Sequence, residues 1–305
     1  MSTPIKVKAG WWNAFRPWTL HGAIVPVVLG TMVAAHDGCF NVFIFILTVI
    51  GGCLLQSAAN LLNTYGDFKS GVDTVENETR SPELVTGLLK PKHVLLMGLA
   101  CLGVTALIGL VFIYYIGWGI MVYGVLGIIG AGTYTVGLAY KYHGLGQPFV
   151  FFMMGILMPL GSYYVQVGAF SWEALLISLP NAFLITAVLC GNEVRDYHED
   201  LNAGVRTLCG RMSYEGASKL YLAENIIAPV ILAALIVLGF APWMCALAFV
   251  SMYDLYRLYE NLKKAPEDPA CNFMLVPLCF KFNWHFGLLL AAGYILQLMV
   301  LPEVM

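Results

Sequence analysis

The chain has 305 residues, 59% of them hydrophobic and only 11% charged, with a mean hydropathy of +0.77. This composition is far too apolar for a soluble globular domain and describes a polytopic membrane protein. The formal net charge of −2 provides no argument for a nucleic-acid partner, and none is expected.

In chain order, apolar stretches of about the length that crosses a bilayer, roughly 17–25 residues, fall at 19–36, 41–62, 93–115, 117–135, 145–166, 172–192, 219–239, 240–257 and 283–301. The expectation is therefore an all-α fold with nine transmembrane helices. Short turns at Gly117, Phe170-Ser-Trp and Gly239-Phe-Ala-Pro242 set several of them up as tight hairpins. Lys and Arg collect in cytoplasmic loops, and with nine spans the sorting is complete. All 16 lie in the N-terminus (Lys6, Lys8, Arg16) or after helices two, four, six and eight, whereas the opposite side carries Asp37, Glu173 and Glu303 as its charged residues. This places the N-terminus in the cytoplasm and the C-terminus outside. The first apolar span is too long for a cleavable signal peptide and lacks a convincing small-residue cleavage site. The eight cysteines are scattered, without zinc spacing, and read as small core residues. No linker marks a second domain, so residues 1–305 read as one unit, and the polar stretches 63–92, 193–218 and 258–282 read as cytoplasmic loops over a site.

Two of those polar regions are related. Asn63 and Asp67 recur as Asn192 and Asp196, each Asp is followed by an aromatic residue (Phe68, Tyr197), and Gly71-Val-Asp-Thr is answered by Gly204-Val-Arg-Thr after a four-residue insertion. On a helix, positions three, four or seven apart share a face. Gln56, Asn60, Asn63 and Asp67 thus project together, as do Asn192, Asp196 and Asp200. Two clusters of oxygen donors with acids to spare suit a hard divalent cation. Magnesium takes one or two carboxylates and completes its shell with water and phosphate oxygens, which predicts a phosphorylated ligand. A single acid at a helix end would more simply be a solvated residue. Repetition at one spacing argues for a site, because ionisable groups at membrane depth are costly without one. In the run 133–147, Lys141 stands between Tyr140 and Tyr142. A lysine so placed is often an interfacial anchor, but beside a metal-diphosphate site Lys141, and Arg80 after helix two, supply cations for the anion. Arg195 and Arg206 flank the second motif and have acids of their own to pair with. Most of the aromatics (Tyr134, Tyr163, Tyr164, Phe151, Phe152 and Trp284 among them) are packing or belt residues, with a pocket-lining subset able to face a carbocation.

The first motif, Asn63-Thr-Tyr-Gly-Asp67-Phe with Gly71-Val-Asp73, and the second, Asn192, Arg195, Asp196, Asp200, Gly204 and Thr207-Leu208, resemble the aspartate-rich motifs of the UbiA superfamily of intramembrane prenyltransferases. The branch they are most similar to is the MenA-type one, the 1,4-dihydroxy-2-naphthoate polyprenyltransferases. RPWTL at 16–20, PVVLG at 26–30, the tyrosine, glycine and lysine run within 134–146, and Gly161-Ser-Tyr-Tyr extend the likeness over essentially the whole chain. Thr64, Glu193, His198 and Gln147 depart from the pattern, and Glu193 and Gln147 bear on which aromatic acceptor is taken. The resemblance implies a central cavity under a cytoplasmic cap in a multi-pass protein of the bacterial cytoplasmic membrane. It implies Asp67, Asp73, Asp196 and Asp200 as catalytic acids, with Asn63, Asp67, Asn192, Asp196 and Asp200 holding magnesium, and Arg80, Lys141, Tyr134 and Arg206 binding the polyprenyl diphosphate. The implied reaction is transfer of the prenyl group to a dihydroxynaphthoate. Another acceptor, such as 4-hydroxybenzoate, is the neighbouring alternative. A secondary transporter is the alternative from another class, although both acidic clusters lie at one membrane face and the repeat is parallel.

Overall fold

The computed structural model describes residues 10–75, 82–135, 137, 140–202 and 204–300, and every regular element among them is helical. A lipid-embedded chain has few other choices, since an α-helix satisfies its backbone N–H and C=O groups within one segment. The chain begins with α1 (Trp11–Phe15), a 3₁₀ turn at Pro17–Thr19 and α2 (His21–His36). Next is α3 (Val42–Ser70), started by Asn41, whose side chain accepts from the N–H groups of Phe43 and Ile44. The short α4 (Pro82–Val85), then α5 (Pro91–Ile116), α6 (Met121–Gly132) and α7 (Gly146–Val150) follow. A π-helical stretch over Phe151–Leu157 leads into α8 (Met158–Val167), followed by α9 (Trp172–Arg195) and α10 (Tyr197–Asn202). The last elements are α11 (Tyr214–Val237), α12 (Met252–Lys264) and α13 (Pro269–Val300). Ser171 and Ser213 cap α9 and α11 through their hydroxyls, each satisfying one of the unpaired donors of a helix start.

Seven segments among the described residues are long and apolar enough to cross a membrane: Trp11–His36, Val42–Ser70, Pro91–Ile116, Gly146–Val167, Trp172–Arg195, Tyr214–Val237 and Pro269–Val300. An eighth apolar helix, Trp118–Gly132, is shorter. The ninth expected span, 240–257, is built differently. After Pro242 the backbone runs as 3₁₀ helix over Trp243–Ser251 and continues as α12. That helix buries Leu258 and Leu262 and carries Asp254, Arg257, Glu260, Lys263 and Lys264. The stretch 258–282, expected as a loop, is almost entirely helical, because only residues 265–268 separate α12 from α13. Pro269 opens α13, where its fixed φ and missing N–H cost nothing.

Packing centres on α13, which lies against α2, α9 and the Trp243–Ser251 segment, while α11 packs on α9, α3 on α5 and α2 on α8. Leu29, Leu232, Phe282, Phe286, Leu290 and Tyr294 fill the main core. Small residues let helices approach in lipid, where there is no hydrophobic drive between them. At the α2–α8 crossing, a Cβ on Gly30 would run into the carbonyl oxygen of Pro159. Gly30→Ala is expected to force the two helices apart, costing about 1–3 kcal/mol, seen as a lower thermal midpoint of the detergent-solubilised protein. An unchanged midpoint would mean the crossing is looser than described.

Candidate active site

At 1.5 Å per residue the 29 residues of α3 run about 44 Å, against a hydrocarbon core of about 30 Å. The surplus turns at its C-terminal end carry the first motif. Gln56, Asn60, Asn63 and Asp67 face one cavity, as their spacing requires, and Gln56 donates to Asn60 at 3.5 Å. Gly71 ends the helix with φ 75°, its N–H bonded to Phe68 O, while the Val72 and Asp73 N–H groups return to Asp67 O at 3.0 and 3.2 Å. This left-handed glycine cap folds Asp73 back, buried, onto the same cavity as Asp67.

The second motif is not one continuous helix. α9 stops at Arg195 and α10 starts at Tyr197, although Asp196 N–H still bonds Asn192 O and Asp200 N–H bonds Asp196 O. Gly204 (φ 72°) repeats the role of Gly71: its N–H meets Leu201 O, and Val205 N–H meets Asp200 O at 2.9 Å. Aligned by these glycines, Asp200 corresponds to Asp67 and Asp196 to Asn63. The four-residue insertion is about one extra helical turn, which keeps the acids on the same face.

The run 133–147 is seated on α3 at Gly66, where any Cβ would come within 2.9 Å of Thr135. Thr135 Oγ1 donates to Leu62 O at 3.1 Å. From that seat Lys141 reaches the first motif, its Nζ donating to Asp67 Oδ1 and Oδ2 at 2.9 and 2.8 Å and to Asn63 Oδ1 at 3.4 Å. Tyr140, stacked on Phe149 at 3.7 Å between ring centroids, is buried deeply enough to push its phenol well above the ordinary range. In the second motif Arg195 grips Asp196 bidentately, Nε to Oδ1 at 2.8 Å and Nη2 to Oδ2 at 2.7 Å. Each leading aspartate therefore has a cation against it, at a depth where an unpaired carboxylate would be costly.

The cavity between the motifs measures about 1020 Å³. Of the expected residues, Asn63, Asp67, Asp73, Tyr134, Lys141, Asn192, Asp196 and Asp200 all line it. Arg206 does not: it is exposed and absent from the lining, because the left-handed turn at Gly204 directs the buried Val205 and Thr207 inward on either side of it. Arg80 lies outside the described residues. Of the aromatics named above, Tyr134 is the one on the cavity wall, joined there by Tyr140, Phe149, Phe273 and Phe280. The donors are all oxygens, four carboxylates and two amides, a set that fits magnesium and not zinc.

Arg16 also lines the cavity. It is the one non-glycine residue with positive φ among those described (φ 51°), and its guanidinium reaches Thr64 Oγ1 at 3.4 Å. The turn that holds it is tied to α3 by Asn60, whose amide donates to Phe15 O and Thr19 Oγ1 at 2.9 Å each. Read from the sequence, Arg16 counted as N-terminal positive charge and as the first residue of the RPWTL run, without a part in the site, and Pro17 directly after it was the available sign of a fixed turn. Glu193, named above as a departure that bears on the acceptor, is also a wall residue. Its Oε2 accepts from Gln147 Nε2 at 2.8 Å and from Cys209 N–H at 3.0 Å, so two of the departures from the family pattern touch each other.

Residues 23–287 match the UbiA prenyltransferase family. The chain is 30% identical over 290 residues to the 1,4-dihydroxy-2-naphthoate octaprenyltransferase of Bacillus subtilis (strain 168), covering 94% of this chain and 92% of that one. Its fold is shared with a UbiA homologue from Aeropyrum pernix K1, at TM-score 0.65 and 15% identity over 92% of this chain and 98% of that one. A UbiA homologue from Archaeoglobus fulgidus bound to GPP and Mg2+ superposes at TM-score 0.61 and 13% identity, over 93% and 98% of the two chains.

The Asp67–Lys141 contact is open to a double-mutant cycle. Asp67→Asn and Lys141→Met are each expected to destabilise the protein, by up to about 3–5 kcal/mol for an uncompensated buried charge, while the double variant loses clearly less than the sum. Strict additivity in thermal or denaturant melts would show that the two groups are not coupled.

Proposed function

This chain belongs to the UbiA prenyltransferase family, and on that premise we propose that it transfers a polyprenyl group from polyprenyl diphosphate to 1,4-dihydroxy-2-naphthoate, giving a demethylmenaquinol. The observation that carries the reading is the single cavity walled by both acidic motifs, together with the similarity to the Bacillus subtilis enzyme along almost the full length of both chains. We take residues 1–305 as one domain, since the first and last spans pack directly together.

Asn63, Asp67, Asp73, Asn192, Asp196 and Asp200 are the residues that would hold magnesium. The bound metal supplies Lewis-acid charge to the diphosphate. Lys141 stands at the first motif with an ammonium for the phosphate oxygens, Arg16 on the cavity wall can add to it, Arg80 is assigned the same part from the sequence alone, and Tyr134 lines the same wall. Arg206, exposed, is given no part. In the reaction the allylic C–O bond breaks and diphosphate leaves with the electron pair. The carboxyl-bearing ring carbon then bonds to the allylic carbon, and carbon dioxide and a proton are lost. The apolar wall formed by Leu55, Met153, Met154, Ile185 and Leu189 excludes water that would capture the cation. A second apolar cavity of about 300 Å³ shares Leu55, Gly127, Met153 and Met158 with the first and offers space for isoprenoid. The positive-inside pattern supports a cytoplasmic site, with the N-terminus inside and the C-terminus outside.

The test uses purified protein, magnesium, dihydroxynaphthoate and a polyprenyl diphosphate, with the product identified by mass spectrometry. Prenylated, decarboxylated naphthoquinol is expected, and its formation should drop at least about 10²-fold in Asp67→Asn and in Asp196→Asn. Activity within a few-fold of wild type in either variant would remove that aspartate from the site. Orientation is tested separately: an impermeant thiol reagent outside intact cells should not reach a cysteine placed at Ser70 or Asn202. Labelling of either from outside would reverse the topology.

A further inference from the structure

Glu193 is a carboxylate on the cavity wall, only 6% exposed, that neither motif's spacing accounts for. Gln147 Nε2 and the Cys209 N–H both donate to its Oε2, which fixes the plane and direction of the group. Oε1 lies on the other side, toward Gly146. A Cβ built on Gly146 would lie 3.4 Å from Leu189 Cδ2, 3.6 Å from the Tyr134 hydroxyl and 3.7 Å from Glu193 Oε1, so the two oxygens stand around one point, and both residues line the cavity. Gln147, itself 2% exposed, holds the pair from behind, with its Oε1 buried and without a hydrogen-bond partner. With both N–H donors on Oε2, Oε1 is the carboxylate oxygen left to accept, whereas a tyrosine hydroxyl donates and accepts. The complement to this pair is a ligand O–H, and a ligand carboxylate is repelled from it.

We propose that Glu193, braced by Gln147 and Cys209 and working with Tyr134, is the subsite that reads a ring hydroxyl of the aromatic acceptor. The inference rests on the prenyl-transfer reading and adds to it a determinant of acceptor choice. The ring that attacks an allylic cation must be electron-rich, and a phenolic hydroxyl both enriches it and carries the proton that Glu193 Oε1 accepts as a hydrogen bond. An acceptor without that hydroxyl gives Glu193 Oε1 no ligand donor, although Oε2 keeps its two protein donors. This is the situation in which a hydrogen-bonding site rejects an analogue most strongly. The same contact turns the acceptor's own carboxylate away from Glu193.

The test compares 1,4-dihydroxy-2-naphthoate with 1-hydroxy-2-naphthoate and 4-hydroxy-2-naphthoate, each lacking one hydroxyl, using geranylgeranyl diphosphate and magnesium. The enzymes are the wild type, Glu193→Gln, and the exchange variant Glu193→Gln/Gln147→Glu. In Glu193→Gln the amide oxygen takes the place of Oε2 under the Gln147 and Cys209 donors, which turns the amide NH2, a donor, toward Gly146; in the exchange variant the new amide donates to the new acid and its carbonyl, still an acceptor, is left toward Gly146. Differences in ring reactivity are common to all three enzymes and cancel when the kcat/KM ratios are compared. For one of the two analogues the preference for the dihydroxy acceptor is expected to fall at least about tenfold in Glu193→Gln and less in the exchange variant, with the donor's apparent KM within about threefold of wild type. Preferences that stay within about twofold for both analogues would overturn the proposal. So would a parallel loss of donor affinity, which would make Glu193 a brace for the Cys209 turn and nothing more. If wild-type protein prenylates none of the naphthoates, the prenyl-transfer reading itself fails and takes this inference with it.

Discussion

The constraint on which the structure depends is the cost of carboxylates at the edge of a hydrocarbon slab. Asp67 and Asp73 are buried at the end of α3, and Asp200 is buried just past α9. The fold meets that cost locally. Lys141 is brought from the run after α6 onto Asp67, and Arg195 folds onto Asp196 from the adjacent position. Much of the surrounding detail serves these placements. Gly66 admits Thr135 so that the lysine-bearing run can lie on α3, and Asn272 at the start of α13 donates to Arg195 O at 2.9 Å, tying the last span to the second motif.

The same economy explains the internal repeat. Both half-sites are helix ends closed by a glycine in the left-handed region, which returns the next N–H groups to the carbonyl of an aspartate. Because the turn fixes the chain's exit, the acids a turn or two upstream are fixed relative to it. A one-turn insertion changes which aspartate sits at the closing position without moving the acids off the cavity. Two such ends facing one another produce a cavity with acids on opposite walls and apolar side chains between them. That geometry suits a ligand whose anionic head and hydrocarbon tail have opposite preferences, and it separates this bundle from a carrier with one acid cluster at the midplane.

Much of this was legible in the sequence because the signals are periodic. Length and hydropathy locate most of the spans, and the i, i+3, i+4, i+7 spacing puts Gln56, Asn60, Asn63 and Asp67 on one wall, where they stand. The rest depended on contacts between distant segments. Hydropathy does not distinguish an α-helix from the 3₁₀ backbone of Trp243–Ser251, and the polar residues of 258–282 masked two helix ends packed against the bundle. Arg206, expected from the resemblance to bind the diphosphate, stands at the repeat position of Asp73, yet its side chain is exposed while Asp73 is buried. Arg16 gave no periodic sign, since its position comes from a left-handed backbone held by Asn60 from another helix. Glu193 sits one residue from a motif position, but its orientation is set by Gln147, 46 residues away.

The central claim is that the two acidic helix ends act on one ligand and not as separate ion sites. Calorimetric titration of a non-reactive prenyl thiolodiphosphate, with and without magnesium, into wild type, Asp67→Asn, Asp196→Asn and the double variant tests it most directly. If the ends share the ligand, each single variant loses most of the magnesium-dependent affinity, about 10²-fold or more, and the double variant loses little beyond that. Magnesium-dependent binding that survives intact when one motif is neutralised would contradict the account.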